Sequence, residues 1–125
     1  MPREYERSSR IAGQLQRELS ELIRRQVKDP RVHGVTVTRV EVSHDLSHAK
    51  VLVSVLGVEA PQPEVIAALN HATGFLRHAL GRILKLRIVP ELHFQYDEAL
   101  DRAAHLTALI AKANASTHDD GDPSA

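Results

Sequence analysis

A single α+β domain, with its helices packed on one face of a three-stranded sheet, is the fold this sequence predicts. Three observations lead there. A helical apolar stripe opens the chain, two β-branched segments flank a polar turn, and two more helical stripes precede a third alternating segment. The order is helix, strand, strand, helix, helix, strand, helix, and two-layer packing is the natural way to bury each stripe against one sheet face. At 125 residues and 42% apolar composition, the chain can bury one core without staples.

The first helix is expected from about Arg7 to Lys28, where Ile11, Leu15, Leu19, Leu22, Ile23 and Val27 recur at helical spacing. Pro30 ends it, because proline disfavours helical geometry at Asp29 and has no amide to carry the ladder on. Gly34 opens the extended segment VTVTRVEVS, residues 35–43, whose β-branched side chains favour a strand. Its alternation slips: Val35 and Val37 share one parity, Val40 and Val42 the other. A bulge near Thr38–Arg39 reconciles them. HDLSH is a turn, and AKVLVSVL, residues 49–56, places Val51, Val53 and Val55 on one face, so the two strands form a hairpin.

GVEAPQP breaks the chain before a helix from about Pro63 to Ala72, and a second helix is expected from Phe75 to Leu86. ELHFQYD alternates Leu92, Phe94 and Tyr96 against His93 and Gln95 and reads as the third strand. A last helix runs from about Glu98 to Ala113. NASTHDDGDPSA, residues 114–125, is too polar to pack and is expected to be a disordered tail, which leaves residues 1–113 as the domain.

Composition narrows the function classes. Without cysteine there is no disulfide framework, zinc ribbon or thiol nucleophile. Only 3% of residues are aromatic, too few for rows of stacked bases. MPREYERSSR has no apolar stretch behind its charges and does not read as a secretory signal. No apolar run approaches the roughly 20 residues of a spanning helix, so a cytoplasmic protein free of membranes is expected.

The net charge of zero hides an uneven layout. Residues 65–90 contain no Asp or Glu, while Arg77, Arg82, Lys85 and Arg87 crowd into their second half; the tail carries Asp119, Asp120 and Asp122. Local cationic surface steers a polyanion more than the global sum does. On a helical wheel, Phe75, Leu76, Ala79, Leu80, Ile83 and Leu84 fall in one half and face the core. Arg77, His78, Gly81, Arg82 and Lys85 fill the other, where small Gly81 would let a phosphate backbone come close. Thr73 and Gly74 interrupt the two stripes, Gly costing about 1 kcal/mol relative to Ala in a helix. Such an interruption leaves amides open at the positive end of the second helix, suited to an anion. A solvated basic corner would carry the same residues.

Four stretches, VKDPR (27–31), SHDLSHAKV (43–51), LNHATGFLR (69–77) and LRIVPELHFQYD (86–97), carry a resemblance to the bacterial ribosome-binding factor A family. The likeness runs from about Arg7 to Leu109. It implies a KH-like domain of type II, whose paired helices are normally joined by a Gly-x-x-Gly loop that clamps nucleic-acid backbone. No Gly-x-x-Gly occurs in this chain. The family has an Ala-x-Gly kink instead, here Ala72, Thr73 and Gly74. The resemblance further implies a non-enzymatic assembly factor that binds the free, immature small ribosomal subunit and its precursor 16S rRNA. It would support late maturation near the rRNA 5′ end, most of all in the cold. RNA contacts are expected from Ala72, Thr73, Gly74, Arg77, His78, Arg82 and Lys85, in a monomer without cofactor or metal.

Other constellations have plainer readings. Ser43, His44 and Asp45 hold a triad's residue types, but sequence neighbours in a hairpin turn cannot take up triad geometry; Ser43 and Asp45 are expected to bond the turn's own amides. His44 and His48 are expected to be surface histidines rather than metal ligands. Asp97, Glu98 and Asp101 sit where acids stabilise a helix start. Along the first helix, Glu18 and Glu21 interleave with Arg17, Arg24 and Arg25 as ordinary ion-paired surface. Arg7 and Arg10 lie near its positive end, without a pairing reason to be there, and are expected RNA contacts. A protein-interaction module working through the first helix, and a small hydrolase, are the alternatives.

Overall fold

The computed structural model describes residues 2–55, 58 and 60–121. Helix α1 (Pro2–Arg25) leads through a short 3-10 turn (Pro30–Val32) to strands β1 (Thr36–Val42) and β2 (His48–Ser54). Helices α2 (Gln62–His71) and α3 (Thr73–Leu84) follow, then β3 (Glu91–Tyr96) and α4 (Glu98–Gly121). The sheet order is β1-β2-β3, antiparallel between the first pair and parallel between the second. This is the order and layering of the KH-like α+β fold.

One sheet face carries the core. Val37 and Val40, Ala49, Val51 and Val53, and Leu92 and Phe94 are buried against Leu15, Leu19, Leu22 and Ile23 of α1, Val65 and Leu69 of α2, and Leu76 and Leu80 of α3. The register of β1 against β2 shifts between Val37 and Arg39, so Thr38 is the extra residue and both valine parities reach the core. Asp29 caps the 3-10 turn by accepting from the Arg31 amide at 2.9 Å. The Arg31 guanidinium beside it holds that carboxyl down to about 2.

Helix boundaries depart from expectation, α3 among them ending at Leu84 rather than Leu86. The first helix starts earlier and ends at Arg25, because the Gln26 and Val27 amides converge on the Leu22 carbonyl and close it before Pro30. The third begins at Thr73 rather than Phe75, so Gly74 lies inside its first turn. Helix α4 continues past Ala113 to Gly121, since no Gly or Pro intervenes to stop it. Residues 114–121 are therefore helix where a disordered tail was expected. The remainder of that segment, residues 122–125, lies outside the described residues. The side chains of residues 106–115 are all exposed, so this part of α4 extends beyond the packed core.

Candidate nucleic-acid interface

Ala72 makes the corner between α2 and α3. Its backbone (φ −87°, ψ 0°) sits in the bridge region, and its amide bonds back to Ala68 and Leu69 while its carbonyl accepts from Leu76. The two helices thus share one residue with no loop between them. Thr73 Oγ1 donates to the Asn70 carbonyl at 2.9 Å. Gly74 is exposed, its φ is not positive, and a Cβ placed there meets nothing within 4 Å. Glycine is thus not demanded by backbone strain here. What it leaves is open backbone at the start of α3, accessible to a partner.

Along α3, His78, Arg82 and Lys85 are exposed, and Arg87 follows just beyond. Among the described residues none of Arg82, Lys85 and Arg87 has an ion-pair partner, which agrees with the absence of acid from residues 65–90. Lys85 ends the helix in the left-handed region (φ 54°, ψ 36°), a position where Gly or Asn is usual.

One expected contact, Arg77, and the expected clearance at Gly81 both turn out to serve the interior. Arg77 donates from Nη2 to the Val89 carbonyl at 2.9 Å and from Nε to the Pro90 carbonyl at 3.2 Å. Its guanidinium therefore fastens α3 to the segment entering β3, although part of the side chain remains exposed. Gly81 is small for an internal reason: a Cβ would come within 3.1 Å of Val89 Cγ2. The expectation that Gly81 clears space for phosphate is thereby corrected. The wheel also misplaced two apolar residues, since Phe75 and Ile83 are 47% and 45% exposed and flank the cationic row.

Arg7 and Arg10 are exposed on α1. Arg7 lines a cleft of about 340 Å³ together with Ile11, Asp45, Leu46, Arg87 and Ile88. This brings Arg87 to the foot of α1, a juxtaposition that the linear sequence did not reveal. Its signal was present in the acid-free run, but its partner element was not. Ile88 beside it is 74% exposed.

The turn at one wall of the cleft is built as expected. Ser43 and Ser47 hydroxyls donate to Asp45 Oδ1 at 2.7 Å, the Ser47 amide does so at 3.1 Å, and the His48 amide donates to Ser43 Oγ at 3.0 Å. These donors, the hydroxyls first, hold the Asp45 carboxyl down to about 2. Asp45 is thus occupied with the turn. Asp97 likewise caps α4, accepting from the Leu100 amide at 2.9 Å and from Thr38 Oγ1 at 2.6 Å. The Asp101 carboxylate beside the Tyr96 hydroxyl pushes it up to about 12, and Asp101 Oδ1 accepts from Ser54 at 3.1 Å.

A KH-like domain whose helix pair turns at an Ala-x-Gly kink, with an unpaired cationic helix beside that kink, is the class these features define. Residues 7–110 match the family model described as ribosome-binding factor A, and the chain belongs to that family. A Pseudomonas putida ribosome-binding factor A is 54% identical over 99% of this chain and 97% of its own length; a Pseudomonas fluorescens relative is 53% identical over 98% and 93%. Among solved structures, the Thermus thermophilus crystal structure of this factor matches with a TM-score of 0.64 at 31% identity, covering 71% of this chain and 94% of that one. A Thermotoga maritima solution structure, of a protein described as a putative member, matches at 0.63 and 36% identity, over 71% and 85%. Coordinates of a Thermus thermophilus ribosome binding factor A, fitted into a cryo-EM map of its complex with the 30S subunit, match at 0.59 and 32% over 70% and 91%.

Proposed function

We propose that this protein binds the free, immature small ribosomal subunit through 16S rRNA and catalyses no reaction. The observation that carries this reading is the exposed row of Arg82, Lys85 and Arg87, unpaired among the described residues, at the far end of the helix whose first turn holds the open backbone of Gly74. Ala72, Thr73 and Gly74 receive the RNA backbone in place of a Gly-x-x-Gly clamp, and Arg82, Lys85 and His78 meet phosphates beside it. Arg7 and Arg10 extend the contact onto α1. Arg77 contributes mainly by fastening α3, with its exposed edge left to the RNA. Supporting the partner is the relative fitted into a map of a 30S complex.

Late maturation near the 5′ end of precursor 16S rRNA, greatest need in the cold, a cytoplasmic location and a monomeric state complete the proposal, from the family resemblance. No described helix is long and apolar enough to cross a membrane. The boundary of the KH-like domain falls near Ala113 in this reading, so the domain includes part of the exposed stretch of α4. Co-sedimentation with precursor small subunits over a salt series tests the reading. Binding should weaken as salt rises, by a log–log slope of about −0.7 for each single-strand phosphate contacted. Association that ignores salt and survives ribonuclease treatment would favour a protein partner instead.

A further inference from the structure

Away from the cationic surface, the sheet face opposite the core gathers three side chains of metal-binding type. His48 opens β2, and the parallel register sets it beside Glu91, which opens β3; His93 lies two residues further along on the same face. His48 Nδ1 stands 3.0 Å from His93 Nε2 and 3.8 Å from Glu91 Oε2. One ligand atom from each residue lies within 4.8 Å of the other two. From this geometry we propose that His48, Glu91 and His93 form a binding site for a divalent transition-metal ion, with Zn²⁺ the best match.

The distances suit that ion. Two nitrogens bound to tetrahedral zinc at about 2.0–2.1 Å are roughly 3.3 Å apart. The two imidazoles, which share a hydrogen bond at that contact, are therefore already near the required spacing, and Glu91 Oε2 lies 3.8 Å from His48 Nδ1. Two imidazoles with one carboxylate form a borderline donor set, suited to Zn²⁺, Ni²⁺ or Cu²⁺ rather than to Mg²⁺ or Ca²⁺. All three side chains are exposed, so the ion enters from solvent and water takes the fourth position. Lys50, the register partner of His93, opposes a cation there, but its ammonium is drawn toward Glu41 at 3.8 Å.

The backbone under the ligands is held in place. The Ser43 amide donates to the His48 carbonyl at 2.9 Å, the His48 amide to Ser43 Oγ at 3.0 Å, and the Glu91 amide to the Ser47 carbonyl at 2.9 Å. Both strand starts are thus tied to the same turn, and ligands on rigid elements bind with little reorganisation. A bound ion bridges β2 to β3 and stabilises the folded chain by mass action.

The test is titration of the full chain with ZnCl₂, followed by calorimetry, melting temperature and histidine ring resonances. One ion per chain is expected at this site, with a raised melting temperature and perturbed His48 and His93 signals. His48→Gln and His93→Gln should each weaken binding by roughly ten- to a hundredfold, the range in which even outer-sphere partners act. Glu91→Gln should weaken it less, and His105→Gln, on the exposed part of α4, should leave it intact. Circular dichroism without zinc establishes that each variant is folded; if one is not, the parent's ring resonances decide. Absence of zinc binding by the parent overturns the proposal. So does binding that both histidine variants retain, or zinc that perturbs only other histidines.

Discussion

Arg24 and Arg25 in the last turn of α1 both reach Glu21, at 2.7 and 3.0 Å, whereas Arg82 and Lys85 at the end of α3 have no carboxylate on their helix to reach. Both sets sit near a helix C-terminus, where cations oppose the negative end of the dipole. That ordinary reason for basic residues is common to the two helices and explains neither difference. What separates them is the placement of acid. On α1 the Glu21 carboxyl is held below its usual range, first by its hydrogen bond with Arg24, so much of the local charge is answered within the protein. On α3 no carboxylate of its own helix answers it, and under the proposed function a polyanion does. Counting arginines would have treated the two faces alike.

The comparison is broken most severely by removing the open charges together. Arg82→Gln, Lys85→Gln and Arg87→Gln in one chain should make the salt slope of subunit binding shallower by roughly two units, at about 0.7 per phosphate contact. Melting temperature should hardly move, because these side chains are exposed and meet no described carboxylate. An unchanged slope would mean that this end of α3 is only solvated, as the Arg24–Arg25 end of α1 is.

Gly74→Val comes next. Its Cβ meets nothing within 4 Å and its φ is not positive, and Val is the better helix former of the two. Stability should hold or rise slightly while binding falls several-fold, because the added side chain occupies the approach to the backbone. Equal affinity for the variant would separate the kink from the contact.

Arg77→Gln should reverse that pattern. Losing two hydrogen bonds to the Val89 and Pro90 carbonyls should cost about 1 kcal/mol of folding stability, read by chemical denaturation, with a smaller change in salt slope than Arg82→Gln gives. The mildest effect belongs to Glu21→Gln on α1. Glu21 has a lowered folded-state pKa, so its contribution is present above the ordinary value of 4.5 and disappears as pH falls through the lowered one. The variant should be marginally less stable at neutral pH and indistinguishable from the parent in strong acid, with subunit binding unharmed.

Features governed by nearest neighbours were legible in the sequence. The bulge at Thr38 followed from valines that changed parity, and the Ser43–Asp45 turn and the Asp97 cap followed from side chains that bond amides two or three residues away. Features set by distant segments were not. A helical wheel cannot report that Val89 will press on Gly81, or that the carbonyls taken by Arg77 come from the approach to β3. It assigned Phe75 and Ile83 to the core without knowing how much of α3 its neighbours cover. The His48, Glu91 and His93 group was hidden for a related reason, since it depends on the register of two parallel strands far apart in the chain. The helical continuation of α4 was hidden because polar composition alone does not separate coil from an exposed helix, and no Gly or Pro stands between Glu98 and Gly121.

The parallel pairing of β2 with β3 has a consequence for how the chain folds during synthesis. Helix α1 and the β1–β2 hairpin form a local unit that can associate as soon as Ser54 has left the translation machinery. β3 cannot join until both α2 and α3 have been made, and closing so long an excursion carries an entropic cost before any strand contact repays it. Through that interval the sheet edge of β2, with Val51 and Val53 beside it, is uncovered. Arrival of Leu92 and Phe94 then pairs that edge and completes the core. Sequence changes that slow the α2–α3 excursion should show first as aggregation of nascent chains and only later as loss of equilibrium stability.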